Sequence, residues 1–148
     1  MARESSFFQV VINPVLAMHI MIVDDNARVR RTLKSLLQHL PVQLIEASNG
    51  IEAVEQYGRY HPEIVLMDVR MPEMGGIEAT ACIRSINPEA CVVMVTEYDD
   101  PALRHNADFA GATEYFLKEN LMDLRQYIEA LSNTLTGENS TSFGIYLS

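Results

Sequence analysis

Short apolar runs alternate with amphipathic stretches along most of the chain. Runs that are apolar on both faces are typical of the central strands of a parallel sheet. In the stretches between them, apolar residues recur every three or four positions, which indicates helices with one buried face. The pattern predicts five strands, Ile20–Val23, Val42–Ala47, Ile64–Met67, Cys91–Val95 and Thr113–Leu117, and five helices, Ala27–Leu40, Ile51–Gly58, Ile77–Ile86, Pro101–Ala110 and Leu121–Leu135.

The strict alternation of strands and helices predicts an α/β fold with one parallel sheet. Each right-handed crossover lays a helix on one face of such a sheet. We expect a doubly wound (βα)5 arrangement with a five-stranded sheet in the order 2-1-3-4-5. Folds of this kind bind their ligands at the carboxyl ends of the strands. The residues that follow each strand are therefore the first candidates for chemistry.

The alternating pattern also divides the 148 residues into one domain and two flanks. We assign residues 18–135 to the domain, residues 1–17 to an N-terminal extension and residues 136–148 to a C-terminal tail. The extension is either a disordered arm or an extra strand, unless translation naturally starts at Met18. The apolar run Phe7–Val23 is short for a membrane span and contains Pro14, so we expect neither a membrane helix nor a secretory signal.

Charge and cysteine content narrow the classes of function. Eleven basic and twenty acidic residues give a net charge of −9, which argues against direct binding of nucleic acid. The two cysteines, Cys82 and Cys91, form neither a disulfide framework nor a zinc site, so we expect a reducing cytoplasm. Only Lys34 and Lys118 are lysines. Lys34 falls on the polar face of the first helix, whereas Lys118 directly follows the fifth strand.

Four strands end on groups that can act together. Asp24 and Asp25 follow strand 1, Asp68 follows strand 3, Thr96 follows strand 4 and Lys118 follows strand 5. Carboxylates crowded in one crevice repel each other unless a bound cation or protonation reduces their negative charge. Their oxygens are hard ligands of the kind that Mg²⁺ prefers. A lysine and a hydroxyl opposite them can bind an anion. This set of groups is typical of phosphoryl transfer to an aspartate.

Each of these residues also has an ordinary structural explanation. Asp24 and Asp25 could cap the first helix, Asp68 could belong to a turn, and a lysine such as Lys118 is most often on the surface. Thr96 could simply end a strand. Chance explains poorly why four strands each deliver a suitable group at the same end, so we favour the functional interpretation.

The segment from His19 to about Leu135 resembles the receiver domain of two-component response regulators, which has a flavodoxin-like fold. The resemblance covers about four fifths of the chain and rests on four motifs, Ile-Val-Asp24-Asp25, Leu-Met-Asp68-Val-Arg-Met71-Pro72-Glu-Met-Gly-Gly76, Val-Met-Val-Thr96 and Gly111-Ala-Thr-Glu-Tyr115-Phe-Leu-Lys118.

The resemblance implies a role for each residue of the site. Asp68 would be the phosphoacceptor, charged by a histidine kinase or a phosphotransfer protein. Asp25 and Asp68 would bind Mg²⁺ directly and Asp24 through water, and the backbone carbonyl of Arg70 would be a further ligand. By the same resemblance, the phosphoryl oxygens would be held by Thr96 and Lys118.

The resemblance also implies a way of signalling. Thr96 would move toward the phosphoryl group and Tyr115 would swing inward behind it. This movement would reshape the face formed by helix 4, strand 5 and helix 5, where a downstream protein would bind. We expect phosphorylation-dependent protein contact without turnover of a separate substrate. Self-association into a homodimer stays open.

Some positions depart from the commonest receiver pattern. Glu97 follows the threonine and Glu119 follows the lysine, as in receivers that precede LuxR-type helix-turn-helix domains, although only a short tail remains here. Two alternatives remain: a phosphorylation-independent scaffold or degenerate receiver, and a phosphohydrolase that uses Asp68. The second alternative is disfavoured because Arg70 stands where such phosphatases place an acid.

Overall fold

The structure, a computed structural model, describes residues 17–135 of the chain. The N-terminal extension up to residue 16 and the tail 136–148 lie outside the described residues. The elements follow one another as β1 (Met18–Val23), α1 (Ala27–Leu37), β2 (Val42–Ala47), α2 (Gly50–Tyr60), β3 (Ile64–Met67), α3 (Gly76–Ile86), β4 (Val92–Thr96), α4 (Pro101–Ala110), β5 (Glu114–Leu117) and α5 (Leu121–Leu135).

The five strands form one parallel sheet in the order β2-β1-β3-β4-β5. This confirms the predicted doubly wound α/β fold and its strand order. Strands β1, β3 and β4 are central and almost wholly buried, in keeping with their apolar runs. Strand β5 lies at one edge and is only half-buried.

Alternate residues of each strand point to opposite faces of the sheet and build two cores. On one face, Met21, Val65 and Met94 pack against residues of α2, α3 and α4. On the other face, Ile22 and Leu66 pack against residues of α1 and α5. Three helices on one face and two on the other clamp the sheet, so the strand ends are held in fixed relative positions.

The C-terminal ends of two helices differ from the prediction by two or three residues. Helix α1 ends at Leu37 instead of Leu40. Pro41 disfavours helical geometry at Leu40, and the chain turns instead, with the Leu40 N–H donating to the Leu37 carbonyl at 3.0 Å. Helix α2 continues past Gly58 to Tyr60, where His61 takes a left-handed conformation (φ 45°) that ends the helix.

Helix α4 forms despite its thin apolar stripe. Its one buried residue is Ala107, and Phe109 is 89% exposed. The end signals explain its stability: the Asp100 side chain accepts a hydrogen bond from the Ala102 N–H at 2.8 Å, and Gly111 (φ 105°) closes the helix. A 3₁₀ turn, Lys118–Asn120, precedes α5. None of the helices between residues 17 and 135 is long and apolar enough to cross a membrane.

Candidate functional site

The carboxyl ends of the central strands bring the predicted acidic residues together. Parallel pairing aligns the last residue of β1 with the last residue of β3, and the last residue of β4 with the last residue of β5. Carboxylate oxygens of Asp24, Asp25 and Asp68 consequently lie within 4.8 Å of one another. Asp24 and Asp68 are buried, whereas Asp25 is exposed at the rim. The cluster therefore has a closed floor and an open side.

Asp24 is held by the start of α1 without capping it. Its Oδ1 accepts a hydrogen bond from the Asn26 N–H at 2.8 Å, and its backbone carbonyl accepts one from Arg30 at 2.7 Å. The cap is Asn26, whose side chain accepts from the N–H groups of Arg28 and Val29. The interpretation of Asp24 and Asp25 as helix caps is therefore wrong, and both carboxylates belong to the acidic cluster.

Asp68 is a buried carboxylate in an unfavourable electrostatic position. Its Oδ1 accepts a hydrogen bond from the Val69 N–H at 2.9 Å, which fixes the orientation of the group. Burial, followed by the nearby charge of Asp24, raises the pKa of Asp68 to about 7. The folded protein thus destabilises the charged form of this group, and a cation bound between the carboxylates would relieve that cost.

Lys118 supplies the positive charge that faces the cluster. Its Nζ lies 2.8 Å from Asp24 Oδ2 and 3.5 Å from Asp68 Oδ2. Burial lowers the pKa of Lys118, but the hydrogen bond to Asp24 and the charge of Asp68 outweigh burial and raise it. Lys118 is therefore a permanent cation here. One ammonium group faces three carboxylates, so the site retains an excess of negative charge.

Thr96 and Tyr115 lie on the α4 side of the site. The Thr96 side chain is fully buried at the end of β4, and its Oγ1 accepts a hydrogen bond from the Tyr98 N–H at 3.3 Å. The Tyr115 hydroxyl donates to the Tyr98 carbonyl at 2.8 Å. Burial raises the pKa of Tyr115, while the Arg104 charge opposes this, so the hydroxyl stays a donor at neutral pH.

The loop after β3 approaches the site very closely. A Cβ built on Gly76 would overlap the backbone carbonyl of Asp68, so only glycine permits α3 to begin at this distance. The Gly76 N–H donates to the Val69 carbonyl at 2.8 Å, which closes the loop. On its outer side, the exposed Arg70 places its guanidinium 4.7 Å from the centre of the Tyr98 ring.

The structure thus brings together Asp24, Asp25, Asp68 and Lys118. Thr96 pairs with Leu117, the residue before Lys118, and both Thr96 and Tyr115 hydrogen-bond to Tyr98. Sequence reasoning missed Asn26, although an asparagine before an amphipathic stretch is a recognisable cap signal. It also missed Arg104, whose guanidinium lies 4.4 Å from the centre of the Tyr115 ring. No spacing rule marks Arg104, because the contact joins a helix to a strand beside it.

The parallel sheet, with an acidic cluster and a lysine at its strand ends, defines a doubly wound α/β domain with a candidate metal site, and comparison with known proteins gives the family. The profile described as response regulator receiver domain matches residues 20–129, and the chain belongs to this family. The chemotaxis protein CheY of Bacillus subtilis is 36% identical over 121 residues, which cover 81% of this chain and 99% of that protein. CheY of Thermotoga maritima is 39% identical over 100 residues, which cover 67% and 83% of the two chains.

Solved structures agree with this assignment. A LuxR-family response regulator from Aurantimonas sp. SI85-9A1 superposes with a TM-score of 0.73 at 34% identity, covering 80% of this chain and 86% of the other. CheY from Borrelia burgdorferi, solved with CheX, BeF₃ and Mg²⁺, gives a TM-score of 0.65 at 26% identity, covering 68% and 77%. The protein is a receiver domain of the two-component type, and its acidic cluster could bind a metal ion.

Proposed function

We propose that this receiver is phosphorylated on Asp68 by a histidine kinase or a phosphotransfer protein. The observation that carries the proposal is the setting of Asp68. It is a buried carboxylate at a strand end, oriented by the Val69 N–H and placed 3.5 Å from the Lys118 ammonium. Family membership supports the same assignment, since the matched residues 20–129 include Asp68 and the strand that it follows.

The chemistry is nucleophilic attack by a carboxylate on phosphorus. An oxygen of Asp68 forms a new O–P bond while the bond between phosphorus and the donor's leaving group breaks, and the leaving group departs with the bonding electron pair. Lys118 is placed to pass from the Asp68 carboxylate to a phosphoryl oxygen. Thr96 can donate its hydroxyl hydrogen to a second phosphoryl oxygen, since its present hydrogen bond uses Oγ1 only as an acceptor.

The three carboxylates fit a hard divalent cation. Their oxygens lie within 4.8 Å of one another, and Asp25 leaves the cluster open to solvent on one side. We propose that the cation is Mg²⁺, in which case Asp25, Asp68 and the Arg70 backbone carbonyl would bind it directly and Asp24 would act through water. When bound, the ion neutralises the carboxylates and the incoming phosphoryl charge. Asp24 then stays anchored by Asn26 and Lys118.

The output of the proposed receiver is a contact with another protein. Thr96 and Tyr115 both hydrogen-bond to Tyr98, so a movement of Thr96 is transmitted to the face formed by α4, β5 and α5. We propose that this face binds the downstream partner after phosphorylation, and that residues 18–135 form the signalling unit. A histidine kinase partner would place this unit in the cytoplasm.

Intact mass spectrometry tests the proposed phosphorylation. The protein is incubated with acetyl phosphate and Mg²⁺, and we expect the mass of one phosphoryl group to be added. The gain is expected to disappear in Asp68→Asn and to persist in Asp108→Asn, which changes an exposed aspartate of α4. Absence of a gain in the wild type, or an equal gain in Asp68→Asn, would show that Asp68 is not the acceptor and would favour a phosphorylation-independent scaffold.

A further inference from the structure

A continuous series of contacts joins Arg70, in the loop after β3, to helix α4. The Arg70 guanidinium lies 4.7 Å from the centre of the Tyr98 ring. The Tyr98 carbonyl accepts the Tyr115 hydroxyl hydrogen at 2.8 Å, and the Arg104 guanidinium lies 4.4 Å from the centre of the Tyr115 ring. Arg104 Nε in turn donates to Asp99 Oδ1 at 3.1 Å. Each of the two tyrosine rings thus has one arginine beside it, Arg70 beside Tyr98 and Arg104 beside Tyr115.

Tyr98 is held on both sides of its backbone. Its N–H donates to Thr96 Oγ1 and its carbonyl accepts from Tyr115. The hydrogen bond from the Tyr115 hydroxyl is therefore one of the contacts that fix the segment that follows Thr96. The side chain of Tyr98 is 36% exposed, and the Arg70 guanidinium lies beside its ring.

Arg104 lies against the ring of Tyr115. A half-exposed tyrosine on an edge strand can turn about its side-chain torsions unless a neighbour blocks one face of the ring. The Arg104 guanidinium covers such a face at a distance typical of a cation–π contact. The same guanidinium is bound to Asp99 on the loop between β4 and α4, so Arg104 ties the ring to the loop that carries Tyr98.

We propose that Arg104 is a positioning residue, which keeps the Tyr115 hydroxyl on the Tyr98 carbonyl and so holds the segment after Thr96 ready for phosphorylation of Asp68. The inference rests on the proposed function, because its consequence is measured at Asp68. Arg104 touches neither the phosphoacceptor nor the acidic cluster. Its effect travels through the hydroxyl of Tyr115, and that route gives a specific signature in mutants.

The test is a double-mutant cycle on the rate of Asp68 phosphorylation by acetyl phosphate, followed by intact mass. We expect Arg104→Ala and Tyr115→Phe each to slow the reaction about three-fold, and the double variant also to slow it about three-fold, since both changes release the same hydrogen bond. Arg104→Lys should restore part of the rate. Arg59→Ala, which removes an arginine 6.0 Å from the Tyr60 ring on α2, is the matched control and should leave the rate unchanged.

Other results would overturn the inference. A wild-type rate in Arg104→Ala would show that the contact has no consequence. A slowing of about nine-fold in the double variant would show that Arg104 acts independently of the Tyr115 hydroxyl. Melting temperatures of all variants separate these results from unfolding. If the wild type gains no phosphoryl group at all, the proposed function fails first, and this inference fails with it.

Discussion

Neutralising Asp68 should stabilise the metal-free protein, although it removes the proposed phosphoacceptor. Asp68→Asn keeps the size and shape of the side chain and deletes its charge. The charged form of Asp68 is destabilised in the folded state because the group is buried and lies beside Asp24, which together raise its pKa to about 7. The unfolded chain carries no such penalty. Removal of the charge therefore favours the folded state over the unfolded state.

The size of the effect follows from the pKa. A rise from 3.8 to about 7 costs at most about 4 kcal/mol, at about 1.4 kcal/mol for each pH unit. The attraction of Lys118 is already included in this pKa, but the amide that the substitution introduces is itself a buried polar group, and imperfect pairing of its N–H groups offsets part of the gain. We expect a net gain of about 2 kcal/mol, or about 5 °C in melting temperature for a chain of this size.

The difference in stability between Asp68→Asn and the wild type should depend on pH. A carboxyl group whose pKa is raised on folding contributes no penalty below its ordinary value of 3.8, and the penalty grows until about pH 7. The stability difference between Asp68→Asn and the wild type should therefore open between about pH 4 and pH 7 and stay constant above. Mg²⁺ should raise the melting temperature of the wild type more than that of Asp68→Asn, since the variant lacks one carboxylate of the cluster.

The assay is thermal unfolding followed by far-ultraviolet circular dichroism, with a chelator present and then with Mg²⁺, over this range of pH. Asp108→Asn is the control, because Asp108 is an exposed residue of α4 and its change should have little effect. The reasoning is refuted if Asp68→Asn is no more stable than the wild type at about pH 8 without metal, or if the difference does not depend on pH.

Three further changes test single contacts. Asn26→Ala removes the cap of α1 and should lower the free energy of unfolding by about 1 kcal/mol in denaturant titrations. The rate of phosphorylation should change little, because the Asn26 side chain does not contact Asp68. Gly76→Ala places a Cβ against the Asp68 carbonyl, so unfolding should be easier by about 2 kcal/mol or more and Mg²⁺ should raise the melting temperature less. Lys118→Met leaves the three carboxylates without their cation, so the rate of phosphorylation by acetyl phosphate should fall at least about ten-fold, and the metal-free protein should melt at lower temperature.

The sheet could be predicted from the sequence because its central strands are apolar on both faces. Ile64–Met67 has no other favourable place in a protein of this size than the middle of a sheet. Helix ends were less predictable. The end of α1 at Leu37 depends on a turn before Pro41, and the end of α2 depends on the left-handed conformation of His61, and neither is encoded in the apolar period.

The candidate site was predictable for a different reason. Asp24, Asp68 and Lys118 follow directly on strands, so the fold alone determines that they meet, and the ion pairs at 2.8 and 3.5 Å bear this out. Contacts between an arginine and a ring from different elements, such as Arg104 on Tyr115, depend on side-chain directions that no spacing rule encodes. Asn26 could have been predicted as the cap of α1, but the two aspartates before it were considered as caps instead.

Chemical trapping of the phosphorylated residue tests the central claim most directly. The protein is phosphorylated with acetyl phosphate and Mg²⁺ and reduced with borohydride, which converts an aspartyl phosphate into homoserine. The digested protein is then sequenced by tandem mass spectrometry. We predict homoserine at position 68 and at no other aspartate. Homoserine at position 24 or 25, or its absence from a protein that has gained a phosphoryl group, would contradict the account.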